Sequence, residues 1–302
     1  MFDEVKEAPV LQHLHTGSWI RGDFDIWIGD AEENRGWEWL GKTRAFLVEQ
    51  QAGGRHGAEV LERAWKEIYA AEGSDWFWWY GPDFQTDSDV LFDALFRKHL
   101  QNVYHLLGIE PPQYLGVPIR TRGLSVPYTK PSAYIDPQID GRNTGYFDWL
   151  GAGVFDVKTQ QTAMFQSNRV CREIRFGINE KQFVLRFDYA KTGPEKIHIA
   201  FCKPADGRVV LTRKGEGYEG VLETSQDALN YEMVDGVLRV ACHTQIEVGV
   251  PLASLGFKKD GEPIAFMVQV FHGGVETERY PERGLIEFDG PSERFELSNW
   301  LV

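Results

Sequence analysis

Residues 71–81 read Ala71-Glu72-Gly73-Ser74-Asp75-Trp76-Phe77-Trp78-Trp79-Tyr80-Gly81, one acid followed at once by five aromatic side chains. A helix or strand turns a single stripe or face toward its core, and five consecutive rings cannot all lie on it. Each ring carries roughly 150–250 Å² of buriable surface. At about 25 cal/mol per Å², leaving even two of them in water is costly. Some of the rings must therefore meet another domain or a flat, hydroxylated ligand. Sugars fit the second description, because their C–H faces lie on indole and phenol rings while a carboxylate such as Asp75 accepts hydrogen bonds from hydroxyls. The competing use of the run is a dense aromatic core where helices meet.

The chain around the run has helical periodicity. Residues 31–50 read as a helix capped by Asp30, with Glu33 placed for a capping box. Over 57–72, Val60, Leu61, Ala64, Trp65, Ile68 and Tyr69 fall on one stripe, and Gly73 stands where a left-handed terminal residue is expected. A third helix spans 88–107, with Leu91, Leu95, His99, Val103 and Leu107 as its apolar spacing and Gly108 and Pro111-Pro112 ending it. Eight of the ten tryptophans, Trp19, Trp27, Trp37, Trp39, Trp65, Trp76, Trp78 and Trp79, precede residue 80, which suits this half to carbohydrate contact or to docking. Trp65 belongs to the helical stripe and is assigned to the core. Asp30, Glu32 and Glu33 form an acidic cluster that helix capping explains more simply than metal ligation.

The segment Glu72–Gly81 resembles the last sequence signature of glycoside hydrolase family 57, in its amylopullulanase and α-amylase branch. Gly17-Ser18-Trp19-Ile20, Asp23-Phe24-Asp25-Ile26-Trp27-Ile28-Gly29-Asp30 and Trp37-Glu38-Trp39-Leu40 resemble the stretch before that signature. Phe92-Asp93-Ala94-Leu95-Phe96-Arg97-Lys98-His99-Leu100 with Pro111-Pro112 resembles the stretch after it, so the likeness covers about residues 15–120. It implies a retaining α-glucan hydrolase acting on starch- or pullulan-type substrates, with Asp75 contacting the sugar and helices lining the cleft. Trp76, Trp78, Trp79, Tyr80, Trp19 and Trp27 are the accompanying substrate-binding candidates.

The likeness stops short of the catalytic barrel, which in this family lies upstream and carries the nucleophilic Glu and the acid/base Asp. His13-Leu14-His15 echoes the family's opening His-x-His-x-Gln-Pro strand but lacks Gln-Pro, and is assigned no barrel role. Retaining hydrolysis needs two carboxyl groups about 5 Å apart, whereas the aromatic stretch offers one strong candidate. No catalytic residue is assigned. The chain therefore resembles the non-barrel, C-terminal portion of such an enzyme. The implied partners are an α-glucan or maltooligosaccharide and a separate family 57-type barrel. The alternatives are a stand-alone carbohydrate-binding protein and a purely structural domain.

From about residue 120 the period becomes two. Phe183, Leu185, Phe187 and Tyr189 alternate along one strand, and Ile197, Ile199 and Phe201 along another, with 237–241, 245–250 and 264–271 behaving alike. Ala205-Asp206-Gly207, Val234-Asp235-Gly236 and Lys259-Asp260-Gly261-Glu262 suit chain reversal. These features predict an α+β multidomain protein: a helical segment over 1–115, a Pro-rich linker over 116–137 and an all-β sandwich over 138–302. Phe147-Asp148-Trp149-Leu150-Gly151-Ala152-Gly153, Phe187-Asp188-Tyr189, Val250-Pro251-Leu252-Ala253-Ser254-Leu255-Gly256 and Asn299-Trp300-Leu301-Val302 resemble the glucodextranase-type, DOMON-like sandwich. That likeness implies a sugar-binding or packing domain, with Tyr146, Phe147 and Trp149 as a secondary sugar site. Trp300 is assigned to core or edge packing.

A net charge of −13 argues against nucleic acid, whose phosphates are bound by clustered Lys and Arg. Cys171, Cys202 and Cys242 are odd in number and widely spaced, which favours free thiols in a reducing compartment over a disulfide frame. Without an apolar leader segment after Met1 or a run of about eighteen apolar residues, a cytoplasmic, non-membrane protein is expected. No CxxC, GxSxG, P-loop or dinucleotide fingerprint occurs, and neither metal nor cofactor is expected.

Overall fold

The computed structural model describes residues 12–84, 86, 88–120, 128–142, 147–157, 169–190, 192–236, 238–258, 260–292 and 295. Two compact units divide the chain, Met1–Ile109 and Glu110–Val302. The architecture is α+β: helices in the first unit, then antiparallel sheets forming a sandwich.

The first unit contains α1 (Ala31–Ala52), α2 (Ala58–Ala71), the five-residue α3 (Ser74–Trp78) and α4 (Asp89–Leu106). The expected capping box starts α1, where the Glu33 carboxylate accepts the Asp30 backbone N–H at 3.0 Å. Gly36 in mid-helix has a packing reason: a Cβ there would stand 3.2 Å from the rings of both Phe77 and Tyr80. On α2, Ala64 and Ile68 are buried, but Tyr69 is exposed. Trp65 is half-buried rather than core: it stacks on Tyr69 and donates its Nε1–H to Gln51 Oε1 at 2.7 Å. Gly73 is not left-handed (φ −58°); α2 ends on Glu72, and Gly73 caps α3.

On α4 the expected apolar stripe is rotated. Leu91 and Leu95 are exposed, whereas Asp93, Phe96, Leu100, Val103 and Tyr104 face the core. Asp93 is tolerated there because Arg97 lies 2.9 Å from its carboxylate and the Tyr80 hydroxyl donates to it at 3.2 Å.

In the second unit the strands are β1 (Gly153–Asp156), β2 (Cys171–Ile178), β3 (Gln182–Tyr189), β4 (Lys196–Lys203), β5 (Gly207–Lys214) and β6 (Gly217–Thr224), followed by β7 (Glu232–Val234), β8 (Arg239–Cys242), β9 (Ile246–Pro251), β10 (Pro263–His272), β11 (Val275–Tyr280) and β12 (Ile286–Asp289). One sheet has the order β1-β2-β3-β9-β8; the other runs β11-β10-β4-β5-β6-β7, with β12 also paired to β10. The alternation read from the sequence sets the faces: Phe183, Leu185 and Phe187 from one sheet meet Ile197, Ile199 and Phe201 from the other. Phe183 packs edge-on against Phe201 and Phe266, at 5.2 Å in each case.

The segment expected as a linker over 116–137 belongs, where it is described, to the sandwich unit. A 3-10 turn at Gln113–Gly116 buries Leu115, and Ile119 and Ile135 are also buried. Tyr128 and Tyr134 fasten the segment, their hydroxyls donating to the carbonyls of Glu287 and Ser292 at 2.7 and 3.0 Å. Its described prolines, Pro118, Pro131 and Pro137, favour extended backbone. The boundary therefore falls at Ile109 rather than residue 115. No helix among the described residues is long and apolar enough to cross a membrane.

Candidate ligand-binding surface

The aromatic run divides its rings between two roles. Tyr80 follows Phe77 by three residues, so both rings point to the same side, and both are buried. They pack with Phe96 of α4 at 5.7 and 5.8 Å, and Trp37 lies flat on Phe77 at 3.7 Å and 4°. Tyr80 is therefore corrected from substrate-binding candidate to core residue. Its hydroxyl is engaged by Asp93, and burial with the nearby Asp93 charge raises its pKa well above the usual phenol value.

Trp76, Trp78 and Trp79 cannot share that inward side and are left half-buried. They join a continuous belt of rings. Trp27 meets Trp78 edge-on at 5.7 Å; Trp78 meets Phe84 at 5.0 Å; and Phe84 meets Trp79 at 6.2 Å. Trp79 then meets Phe92 at 5.8 Å, Phe92 meets Trp76 at 5.7 Å and Trp76 meets the His99 imidazole at 5.8 Å. All seven members are half-buried, neither sealed nor loose. Their anchors are polar as well as apolar: the Trp76 Nε1–H donates to the Ala70 carbonyl at 2.7 Å, and the Trp37 Nε1–H donates to the Trp27 carbonyl at 2.8 Å.

Asp75, in the first turn of α3, is exposed and has no hydrogen-bond or ion-pair partner among the described residues. It adjoins the belt in sequence through Trp76. Trp19 is 88% exposed and takes part in none of the belt's ring contacts. Of the residues singled out in the sequence, Trp27, Trp76, Trp78 and Trp79 come together in the belt and Asp75 adjoins it through Trp76, whereas Phe84, Phe92 and His99 had not been singled out as site residues.

An acidic corner lies at the end of the run. Gly81 takes φ +82°, and a Cβ there would stand 2.7 Å from Glu33 Oε1 and 3.0 Å from Asp30 Oδ2. Burial, with added repulsion from Asp30, Asp83 and Asp25, pushes the Glu33 pKa up to about 7 against the opposing hydrogen bond from Asp30. Arg21 partly neutralises the corner, reaching Asp83 at 3.1 Å and Asp25 at 3.4 Å. His15, given no barrel role, contacts the Gly22 carbonyl through Nε2 at 2.7 Å.

Of the three residues expected at a secondary sugar site, Trp149 is corrected to a core residue. Trp149 is buried against Ile135 and Val184 as part of a small core outside the five-stranded sheet, because Val184 points away from the main sandwich core and needs cover. Phe147 is 78% exposed, and Tyr146 and Trp300 lie outside the described residues. A separate concavity of about 590 Å³, lined by Asp206, Thr224, Ser225, Asp227, Asn230 and Ser254 among others, opens at the loops of the sandwich. Asp227 organises its rim, accepting the backbone N–H groups of Leu229 and Asn230 at 2.9 and 2.8 Å. Cys171, Cys202 and Cys242 are free thiols; burial pushes Cys202 up to about 12 and raises Cys171 well above the usual thiol value, so neither is a thiolate near neutrality.

No protein-family model, curated protein or solved structure matches the chain.

Proposed function

We propose that the helical unit binds an α-glucan or maltooligosaccharide along the ring belt, as the non-barrel portion of a family 57-like glycoside hydrolase whose nucleophile and acid/base come from a separate barrel. One observation carries the proposal: seven half-buried rings follow one another at 5.0–6.2 Å beside an unpaired carboxylate. Stacked or edge-on rings offer apolar faces to sugar C–H groups. The Asp75 carboxylate accepts hydrogen bonds and cannot donate them when ionised. A ligand for this surface must therefore bring donors, which favours a hydroxylated chain over a proline-rich peptide, whose backbone lacks N–H groups at proline. The resemblance over residues 15–120 supplies the choice of α-glucan and the family. Hydrolysis would proceed by double displacement on the barrel's carboxylates, with this chain gripping the substrate. The free thiols favour a reducing, cytoplasmic setting.

Titrating maltoheptaose into the full chain while following tryptophan emission tests the binding. A saturable change is expected, weakened about tenfold by Trp78→Ala through loss of one stacking partner and about fivefold by Asp75→Ala through loss of an acceptor. A signal unaffected by both substitutions counts against the belt. Mixing with a family 57-type barrel and following starch hydrolysis tests the assembly, and activity that does not depend on this chain would exclude it.

A further inference from the structure

We infer that His99 is the hydrogen-bonding anchor at one end of the ring belt, accepting a ligand hydroxyl through its Nε2; the inference rests on the binding proposed for that belt. His99 sits on α4, and its Nδ1 lies 2.7 Å from Glu67 Oε2 on α2. An ionised carboxylate only accepts, so Nδ1 carries the proton in this contact. Asn102, three residues further along α4, donates its Nδ2–H to the same Glu67 oxygen at 3.2 Å. Two donors thus hold Glu67 in place, and Glu67 fixes both the tautomer and the orientation of the imidazole.

In the neutral ring, Nε2 is then a bare acceptor directed away from Glu67. It has no partner among the described residues. The side chain is 30% exposed, and its ring lies beside Trp76 at 5.8 Å with a tilt of 59°. A tie between α2 and α4 uses Nδ1 alone. It does not account for the accessible second nitrogen where the belt ends. Packing on this part of α4 is supplied by Phe96, Leu100 and Val103, all fully buried. With Asp75 one residue before Trp76, the belt has two acceptors and calls for a ligand bearing hydroxyl donors.

The test uses the full chain with ¹⁵N-labelled histidine and maltoheptaose as the probe, recording imidazole nitrogen resonances and tryptophan emission in one titration. The His99 signals, identified by their loss in His99→Gln, are expected to report the Nδ1–H tautomer in the free protein. The Nε2 resonance should then shift with the same saturation as the fluorescence. His99→Gln should bind about tenfold more weakly at an unchanged unfolding temperature. Fluorescence that saturates while Nε2 stays still, or wild-type affinity in His99→Gln, overturns the role of His99 and leaves belt binding standing. No saturable fluorescence in the wild type overturns both. If His99→Gln fails to fold, the wild-type Nε2 shift, assigned through its coupling to the ring protons, decides.

Discussion

Glu33 combines two demands on one carboxyl group. It closes the α1 capping box, which was legible from the Asp30 to Glu33 spacing, and it is buried against Gly81, which no spacing announces because the contact crosses 48 positions of chain. A Cβ at Gly81 would crowd the carboxylates of Glu33 and Asp30, and φ +82° strains any residue that carries one. The expected left-handed glycine was Gly73; the position that needs one is Gly81, at the other end of the aromatic run. Because the folded-state pKa of Glu33 is raised to about 7, the folded form holds its proton more tightly than the unfolded chain does. Its contribution is full below the unfolded value of about 4.5 and is lost as pH rises through 7. Comparing wild type with Glu33→Gln by urea unfolding from pH 5 to pH 8, the wild type is expected to lose on the order of 1–3 kcal/mol relative to the variant. A stability difference that stays constant over this range would contradict the assignment.

For the three longer helices, existence and length were readable from the sequence while the facing of α4 was not. Leu91, Leu95 and His99 are spaced by four, and that run drew the stripe to the wrong side. The buried side instead carries Asp93 and Tyr104 among its apolar residues, and their polar atoms disguise it until the Arg97 and Tyr80 contacts to Asp93 are seen. Leu100→Ala removes a fully buried side chain and should cost about 2–5 kcal/mol of stability. Leu91→Ala, at a position 58% exposed, should change it by less than about 0.5 kcal/mol. Denaturant unfolding of the two variants separates the faces, and equal losses would rule out the α4 orientation. The short α3 escaped the periodicity altogether, since five residues are too few to establish a period. It resolves the aromatic run by dividing it: Phe77 and Tyr80 turn inward, and Trp76, Trp78 and Trp79 remain at the surface.

Taken together, the change of period near residue 120 disclosed the α+β organisation, because burial on one stripe of a helix or one face of a strand leaves its mark on the sequence. The assignment of residues 116–137 and Trp149 was harder to read. Trp149 and the described part of that segment, held through Tyr128, Tyr134 and Ile135, lie against the sandwich from outside the strands, and a covering segment has no period of its own. The surface rings were recognisable as a cluster, whereas their linkage through Phe84 and Phe92 depended on α3 and α4 meeting in space.

If the belt is a rail for a sugar chain, affinity must grow with the number of rings a ligand can cover. Calorimetric titration of the full chain with maltooligosaccharides from maltotriose to maltoheptaose measures this directly. The expected result is an affinity that rises with each added glucose unit before levelling off, with the rise flattened in Trp78→Ala. Affinity independent of chain length, or no heat of binding from any member of the series, would contradict it.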